Sequence, residues 1–239
     1  MTKRRAPLLD GRLSAAMELA ENCSIFADIG ADHGRLSAVM LLQDSSRRGL
    51  VADISAAALQ KSRDLLARLD LSSRVTFAVA NGLDALDSMQ DAVPDTIFIL
   101  GMGGDTVSGI ISRGVQKLDH AALILGAQTD LPMVRRTLCN HGFFICREVV
   151  VTEGKHDYVL IRAEKGDAAY TEEELLLGPV LLKELPPAWL PLLERRNALL
   201  QKGLEAMRSA GLSKDAERLA QFEREADYIQ RVLSILRKE

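Results

Sequence analysis

Residues 24–34 read SIFADIGADHG, an apolar run that ends in Asp28 and Gly30 and continues into a turn. Such a short apolar run is typical of a buried strand. We predict a helix from about Gly34 to Gln43. A glycine in the turn before it lets a ligand approach the backbone, and a helix start offers free backbone N–H groups. The stretch predicts a ligand-binding turn between strand and helix, with an ordinary connecting turn as the alternative.

The alternation of strand and helix continues through the first two-thirds of the chain. Four further apolar runs predict strands at 49–54, 75–80, 96–100 and 121–125. Two more strands, at 143–151 and 158–163, are joined by a segment too short for a crossover helix, so we expect them to be antiparallel. The pattern predicts an α/β fold, a Rossmann-like doubly wound sheet whose ligands bind beyond the carboxyl ends of the strands.

The final third of the chain has a helical pattern. Two apolar series repeat at heptad spacing, and the short segment 209–213 between them predicts an antiparallel coiled-coil hairpin. Asn197 falls within the first series, where a buried amide could fix the register. We divide the chain into a sheet domain at 1–165 and a coiled-coil domain at 166–239, and packing of the hairpin on the sheet is the alternative to a binding role. The two series are Leu190, Leu193, Asn197, Leu200, Leu204 and Met207, and Leu219, Phe222, Ala226, Ile229, Leu233 and Leu236.

Composition is that of an ordinary globular protein and carries no bulk signal for nucleic acid. The 239 residues are 47% hydrophobic and 26% charged, with a net charge of −3, so any contact with RNA phosphates must come from a local basic patch. Every apolar run is shorter than the roughly 20 residues of a membrane span. We expect no membrane partner and a cytoplasmic location. The cysteines and histidines lack metal-ligand spacing, so we expect no metal.

Three loops at one edge of the predicted sheet carry polar residues suited to an adenosine-type cofactor. Asp32 occupies the second glycine position of G-x-G-x-x-G, where it would repel a pyrophosphate and suit a cationic amino group or sulfonium. Asp53 ends the second strand about 20 residues after Gly30, where a carboxylate can accept hydrogen bonds from ribose hydroxyls. Its alternative role is to cap the next helix. Asn81 and Gly82 could contact the adenine edge, although Asn-Gly is also a common turn pair.

The loop after the fourth strand is the most unusual stretch of the chain. It reads LGMGG at 100–104, and glycines there leave a bare backbone that a cofactor or substrate can approach closely. We therefore take Gly101, Met102, Gly103 and Gly104 as the place where a transferred group meets its acceptor. A flexible connecting loop is the alternative. Gln128, just past the fifth strand, is a further polar candidate.

In combination these motifs resemble the TrmK family, the bacterial tRNA (adenine(22)-N(1))-methyltransferases. The likeness extends from about Leu9 to the C-terminus. It implies a class I methyltransferase domain that binds S-adenosylmethionine and a coiled-coil domain that helps to hold tRNA. The stretches that carry it are ADIGADHGRL (27–36), ANGLDAL (80–86), ILGMGG (99–104) and EVVVTEGKHDYVLIRA (148–163).

The resemblance also implies roles for individual residues. The segment 128–130 reads Gln-Thr-Asp, whereas the family has Gln-Pro-Asn, so its base contacts do not carry over directly. The cofactor loop of the family is matched by Asp28, Gly30, Asp32 and His33, its second-strand acidic position by Asp53, and its third-strand loop by Asn81 and Gly82. The loop facing the target base is matched by Gly101, Met102, Gly103 and Gly104. Arg12 matches an arginine in the N-terminal helix of the family, and Gln128 is the second substrate-binding candidate.

These features lead to a hypothesis of in-line methyl transfer. Adenine N1 already carries a lone pair, so the enzyme must chiefly expose the base and align it with the methyl group. Loop 101–104 would place the base, while Asp32, Asp53 and Asn81 hold the cofactor. His33 either acts near the methyl group or anchors its loop. The alternatives are a methyltransferase of a protein or small molecule and a non-catalytic tRNA-binding module.

Overall fold

The structure of the protein is a computed structural model that describes residues 6–31, 33–89, 92–209 and 216–238. The chain forms two compact units, Met1–Ala169 and Tyr170–Glu239. The prediction of an α/β Rossmann-like sheet followed by a helical hairpin is confirmed.

The first unit is built on one sheet whose described strands have the order β3-β2-β1-β4-β5-β7-β6. β1 to β5 are parallel to their neighbours, and β7 is antiparallel to both β5 and β6. The strand order changes direction at β1, which has β2 on one side and β4 on the other. Sheets of this kind bind their ligands at such a switch point. The strands are β1 Ile25–Ile29, β2 Arg48–Asp53, β3 Val75–Val79, β4 Thr96–Met102, β5 Ala122–Ala127, β6 Phe143–Glu153 and β7 His156–Lys165.

Helices cover both faces of this sheet. Residues of α1, α2 and α3 form one buried cluster with alternate strand residues such as Phe26 and Phe98. Ile97 and Ile99 are buried outside that cluster, because neighbouring residues of a strand point to opposite faces. On that second side α4 and α5 pack against each other. The helices are α1 Gly11–Glu18, α2 Arg35–Gln43, α3 Ala56–Arg68, α4 Gly104–Gly114 and α5 Leu131–Asn140, with a 3-10 helix at Gly82–Met89.

The β6–β7 hairpin is longer and its turn tighter than the sequence pattern predicts. Both strands extend into the predicted connection 152–157, leaving a turn centred on Gly154 and Lys155. Gly154 has a φ of +60°, a value that glycine adopts without strain and that two-residue hairpin turns require. Across the turn, Thr152 Oγ1 donates a hydrogen bond of 2.7 Å to Asp157 Oδ1.

A buried ion pair joins α5 to β6. Arg135 Nε donates to Glu148 Oε1 at 2.8 Å, and the two side chains are only 2% and 0% exposed. Buried charges are rare unless paired, and each of these is tolerated because the other is present. Nothing in the local sequence pattern distinguishes either residue from a surface charge.

The second unit contains two long antiparallel helices preceded by two short ones. Residues later in α8 contact residues earlier in α9, which shows that the two helices are antiparallel. The ion pairs Glu194–Arg237 and Arg196–Glu225 are two examples. Most predicted seam residues are buried or partly buried. Asn197 Oδ1 is buried with no hydrogen-bond partner among the described residues, so its predicted role in register stays a prediction. The helices are α6 Glu172–Leu177, α7 Pro179–Glu184, α8 Leu190–Ser209 and α9 Ala216–Leu236.

Candidate active site

The predicted site residues gather at the ends of the parallel strands, which we call the carboxyl edge of the sheet. Gly30 directly follows β1, Asp53 ends β2, and Met102 ends β4. β1 lies between β2 and β4, with Ile29 paired to both Ala52 and Ile99. The first turn, the acidic strand end and the glycine loop therefore adjoin one another, although they are far apart in sequence.

The first turn is shaped by Gly30, which has a φ of +79°. Its N–H and that of Ala31 both donate to Ala52 O, at 2.8 and 3.1 Å. A Cβ at Gly30 would lie 2.0 Å from Met102 Cε, so the missing side chain makes room for the methionine of the glycine loop. Because these two amides are already bonded, the turn does not offer them to a phosphate.

Asp28 is a buried carboxyl group directly below this turn, with 6% of its surface exposed. Ser37 Oγ on α2 donates to Asp28 Oδ2 at 2.6 Å. The pKa of Asp28 is raised to about 6, chiefly by burial and to a smaller extent by the charge of Asp53, while the Ser37 hydrogen bond acts in the opposite direction. The carboxyl edge therefore carries two coupled acidic groups that a cation would stabilise.

Asp53 presents its carboxylate at the end of β2 and remains partly exposed. Its Oδ1 accepts a hydrogen bond of 2.8 Å from Ser55 N. The cap of α3 is supplied instead by Ser55, whose Oγ accepts from Ala58 N at 3.3 Å. Ser55, and not Asp53, therefore caps α3. The Ser55 amide orients the Asp53 carboxylate.

The glycines of the 101–104 loop have different surroundings. Gly101 has a φ of +78°, which fits a bare, partly exposed turn at the end of β4. Gly104 is buried, and a Cβ there would lie 2.5 Å from Thr129 O, so its small size is required by packing. Thr129 Oγ1 accepts from Gly104 N at 3.1 Å, a contact that the family's proline could not make.

Two substrate-binding candidates flank the glycine loop. Gln128 donates its backbone N–H to Met102 O at 2.8 Å, and its side chain is exposed. Arg12 reaches the loop from α1, since a Cβ at Gly101 would lie 3.2 Å from Arg12 Nη1. The guanidinium of Arg12 lies over the Tyr158 ring, with Cζ 5.3 Å from the ring centroid. Sequence reasoning missed Tyr158, whose only sequence signal is its place in the hairpin motif.

Asn81 and Gly82 follow β3, and His33 lies in the turn after β1. Asn81 is exposed, and its Oδ1 accepts a long hydrogen bond of 3.4 Å from Arg113. Gly82 is buried with a φ of +59°, and a Cβ there would lie 3.0 Å from Ile110 Cγ1. His33 is exposed in the first turn. Asp32 lies outside the residues that the structure describes.

The described part of the chain has neither a metal-binding cluster nor a membrane-spanning helix. Within residues 6–31, 33–89, 92–209 and 216–238, no group of three or more His, Cys, Asp or Glu side chains could hold a metal ion. None of the helices in these ranges is long and apolar enough to cross a membrane.

Comparison with known proteins identifies one family. The model of the TrmK family, described as tRNA (adenine(22)-N(1))-methyltransferase, matches residues 26–229. The Bacillus subtilis tRNA (adenine(22)-N(1))-methyltransferase is 28% identical over 183 residues, which is 74% of this chain and 76% of the relative.

Solved structures of similar proteins share the fold along most of the chain. The crystal structure of the B. subtilis M1A22 tRNA methyltransferase TrmK matches with a TM-score of 0.85 and 23% identity, covering 95% of this chain and 99% of the other. A Streptococcus pneumoniae protein solved in complex with S-adenosyl-L-methionine matches with a TM-score of 0.83 and 23% identity, covering 95% and 100%.

Proposed function

Because this chain belongs to the TrmK family of tRNA (adenine(22)-N(1))-methyltransferases, we propose that it transfers the methyl group of S-adenosylmethionine to N1 of adenine 22 in tRNA. The observation that carries the proposal is the acidic carboxyl edge, where Asp28 and Asp53 adjoin a turn whose amides are already bonded. Such an edge suits a cationic nucleoside donor and disfavours a dinucleotide. With tRNA as its substrate, the enzyme acts in the cytoplasm.

The residues of the carboxyl edge fit the parts of this donor. We assign the ribose hydroxyls to Asp53, whose carboxylate is held in place by the Ser55 amide. Asn81 and Gly82 flank the adenine, and Asp28 and Asp32 provide negative charge for the methionine end. When bound, S-adenosylmethionine supplies an electrophilic methyl group on a sulfonium.

The glycine loop is assigned to the target base. Adenine N1 carries its own lone pair, so the work of the chain is to hold the unpaired base and align that atom with the methyl group. Gly101 and Met102 at the end of β4 form the bare surface that the base approaches, Gly103 continues the loop without a side chain, and Gly104 ties the loop to Thr129. Arg12 and Gln128 flank the loop as substrate contacts. His33 is assigned as an anchor of the first turn.

Transfer of a tritiated methyl group tests the proposed function directly. We expect the purified protein to label bulk tRNA and the label to appear in 1-methyladenosine after nucleoside digestion. A tRNA transcript with guanine in place of adenine 22 should remain unlabelled. Label in a protein or small molecule would instead support a different methyltransferase, and tight tRNA binding without label would support a binding module.

Cofactor affinity should depend on pH through Asp28. Its pKa of about 6 in the free protein means that the carboxyl group is charged above that pH and neutral below it. A cationic ligand favours the charged form, so affinity should be constant above pH 7 and fall up to about tenfold per pH unit below pH 6.

Calorimetric titrations with S-adenosylmethionine between pH 5 and 8 measure this dependence. Asp28→Asn should bind weakly with a flat profile in that range. His33→Gln is the control, because it changes a side chain of the same turn and leaves the Asp28 carboxyl group in place. A pH dependence that is lost in His33→Gln, or kept in Asp28→Asn, would contradict the assignment.

The hairpin of the second unit is proposed to contact tRNA through α9. Arg224, Tyr228 and Arg231 recur at helical spacing on one side of this helix and line a shallow open groove. Arg231 Cζ lies 4.9 Å from the Tyr228 ring centroid. Arginines beside an aromatic ring are suited to phosphates and unstacked bases. Arg231 Nη2 also pairs with Glu173 Oε1 at 3.0 Å, and Asp227 lines the same groove, so Arg224 is the residue of this patch that we assign to a tRNA phosphate.

Replacing Arg224 with glutamine should weaken tRNA binding and reduce its salt dependence. Loss of one phosphate contact lowers the slope of log affinity against log salt by about 1. Binding to labelled tRNA at several salt concentrations measures the slope, and Lys202→Gln on α8 is the matched control. An unchanged slope for Arg224→Gln would remove this residue from the RNA surface.

A further inference from the structure

Arg12 is an arginine that the structure leaves available for an anion. It is partly buried in the first turn of α1 and forms no ion pair with a carboxylate of the described residues. Its Nη1 lies 3.2 Å from the position that a Cβ would take at Gly101. The charge is thus directed at the loop assigned to the target base, and nothing in the described protein neutralises it.

The β6–β7 hairpin holds Arg12 at both its backbone and its side chain. Glu153 Oε2, near the hairpin turn, accepts a hydrogen bond of 2.7 Å from Gly11 N at the start of α1. A Cβ at residue 11 would lie 2.7 Å from this same Glu153 oxygen, so a side chain there would have to displace the Glu153 carboxylate. Tyr158 supports the guanidinium through its ring face, at 5.3 Å from Arg12 Cζ.

The place of Tyr158 in the sheet directs this support toward the site. Ile161 of β7 pairs with Leu125 of β5. Because the two strands are antiparallel, Tyr158 lies farther along in the direction in which β5 runs, toward its carboxyl end. Tyr158 therefore lies at the carboxyl edge of the sheet, where Gln128 and the glycine loop also lie.

The charge of the product decides which part of the nucleotide Arg12 contacts. Methylation at N1 leaves the adenine ring positively charged, so a guanidinium facing the ring would oppose the reaction. A phosphate group of the target nucleotide has the opposite charge, and two of its non-bridging oxygens can accept paired hydrogen bonds from the guanidinium fork. Arg12 therefore suits the backbone of the nucleotide whose base enters the glycine loop.

We propose that Tyr158 is a positioning residue for tRNA, holding the Arg12 guanidinium against its ring so that it binds the phosphate of the target nucleotide. The proposal rests on the proposed function and adds to it the hairpin as a support for substrate binding. Tyr158 does not touch the reacting atoms. Its contribution passes entirely through Arg12.

A double-mutant cycle tests this dependence. Arg12→Met should raise both the tRNA dissociation constant and the KM for tRNA at least about tenfold, as expected for a lost charge-assisted contact. Tyr158→Leu should raise them about two- to fivefold, as expected for a lost cation–π contact. In the Arg12→Met background, Tyr158→Leu should have almost no further effect. Arg68→Met is the matched control and should bind tRNA like the wild type.

Conservative variants supply a readout that a general loss of structure would not give. Tyr158→Phe keeps the ring and should bind tRNA nearly as well as the wild type, while Arg12→Lys keeps the charge but not the planar stacking and should bind poorly. Unchanged affinity for S-adenosylhomocysteine verifies that each variant is folded. If Tyr158→Leu does not fold, these two variants decide the question by the same measurement.

The possible outcomes separate this proposal from the function on which it rests. Full-sized effects of Tyr158→Leu in both backgrounds, or normal tRNA binding by Arg12→Met, would overturn the positioning role even if the wild type methylates adenine 22. Absence of methyl transfer by the wild type would overturn the proposed function, and the binding cycle would still report on Arg12 and Tyr158.

Discussion

Replacing Asp53 with alanine is expected to weaken S-adenosylmethionine binding about 100-fold, the loss expected when hydrogen bonds to a charged group are removed. The carboxylate ends β2 at the carboxyl edge and is oriented by the Ser55 amide. Alanine removes both oxygens that the ribose hydroxyls would use, and no neighbouring side chain of the turn replaces them. Isothermal titration calorimetry at pH 7.5 measures the change.

Three companion variants make this result specific. Asp53→Glu should retain most of the affinity, because a carboxylate remains at the strand end. Asp119→Ala, an exposed acidic residue of the same unit, should bind like the wild type. Asp53→Asn should also lower the pKa of Asp28, because the Asp53 charge raises that pKa. Unchanged affinity in a folded Asp53→Ala protein would remove this residue from the cofactor site.

Replacing Arg135 with methionine is expected to cost the largest amount of stability, about 3–5 kcal/mol. The substitution leaves the Glu148 carboxylate, which is 0% exposed, without its 2.8 Å partner. A buried carboxylate that loses its ion-pair partner is less stable in its charged form, and its neutralisation or hydration disturbs the packing of α5 on β6. Thermal unfolding should show a lower Tm, by roughly 2–4 °C for each kcal/mol in a unit of this size.

The double variant Arg135→Met, Glu148→Leu is the decisive control. Removing both charges should recover most of the lost stability, since an apolar pair of similar volume is often as stable as a buried ion pair. Arg147→Met removes an exposed arginine on the same strand and should leave Tm nearly unchanged. Equal losses in the single and double variants would mean that shape, and not charge, explains the effect.

The alternation of strands and helices was predictable because each element carries a local signal. The apolar run before Gly30 matches β1, and the heptad series match α8 and α9, since burial on one side imposes a period on the chain. The motif residues also predicted the family, which the comparison confirms. The length of the β6–β7 hairpin was predicted less well, because Thr152 and Asp157 are polar and resemble loop residues until their cross-strand bond is seen.

Within the candidate site, sequence order indicated which loops meet but not which side chains touch. That Asp53 and Gly101 lie on the same edge follows from the rule that parallel strands end together. That Arg12 reaches Gly101 and rests on Tyr158 depends on the pairing of β7 with β5 and on the bond from Gly11 to Glu153. In the sequence Arg12 lies 89 positions from Gly101 and 146 positions from Tyr158, and no local period records either contact.

Local patterning of the chain was sufficient to establish an open α/β sheet and a helical hairpin and to predict an acidic edge for the cofactor, because periodicity and turn chemistry act over a few neighbouring residues. Folding in three dimensions decided the Arg135–Glu148 pair, the coupling of Asp28 to Asp53 and the support of Arg12 by Tyr158. Each of these arises where strand register and helix packing bring charges together, and the energy of a charge depends on what surrounds it in space.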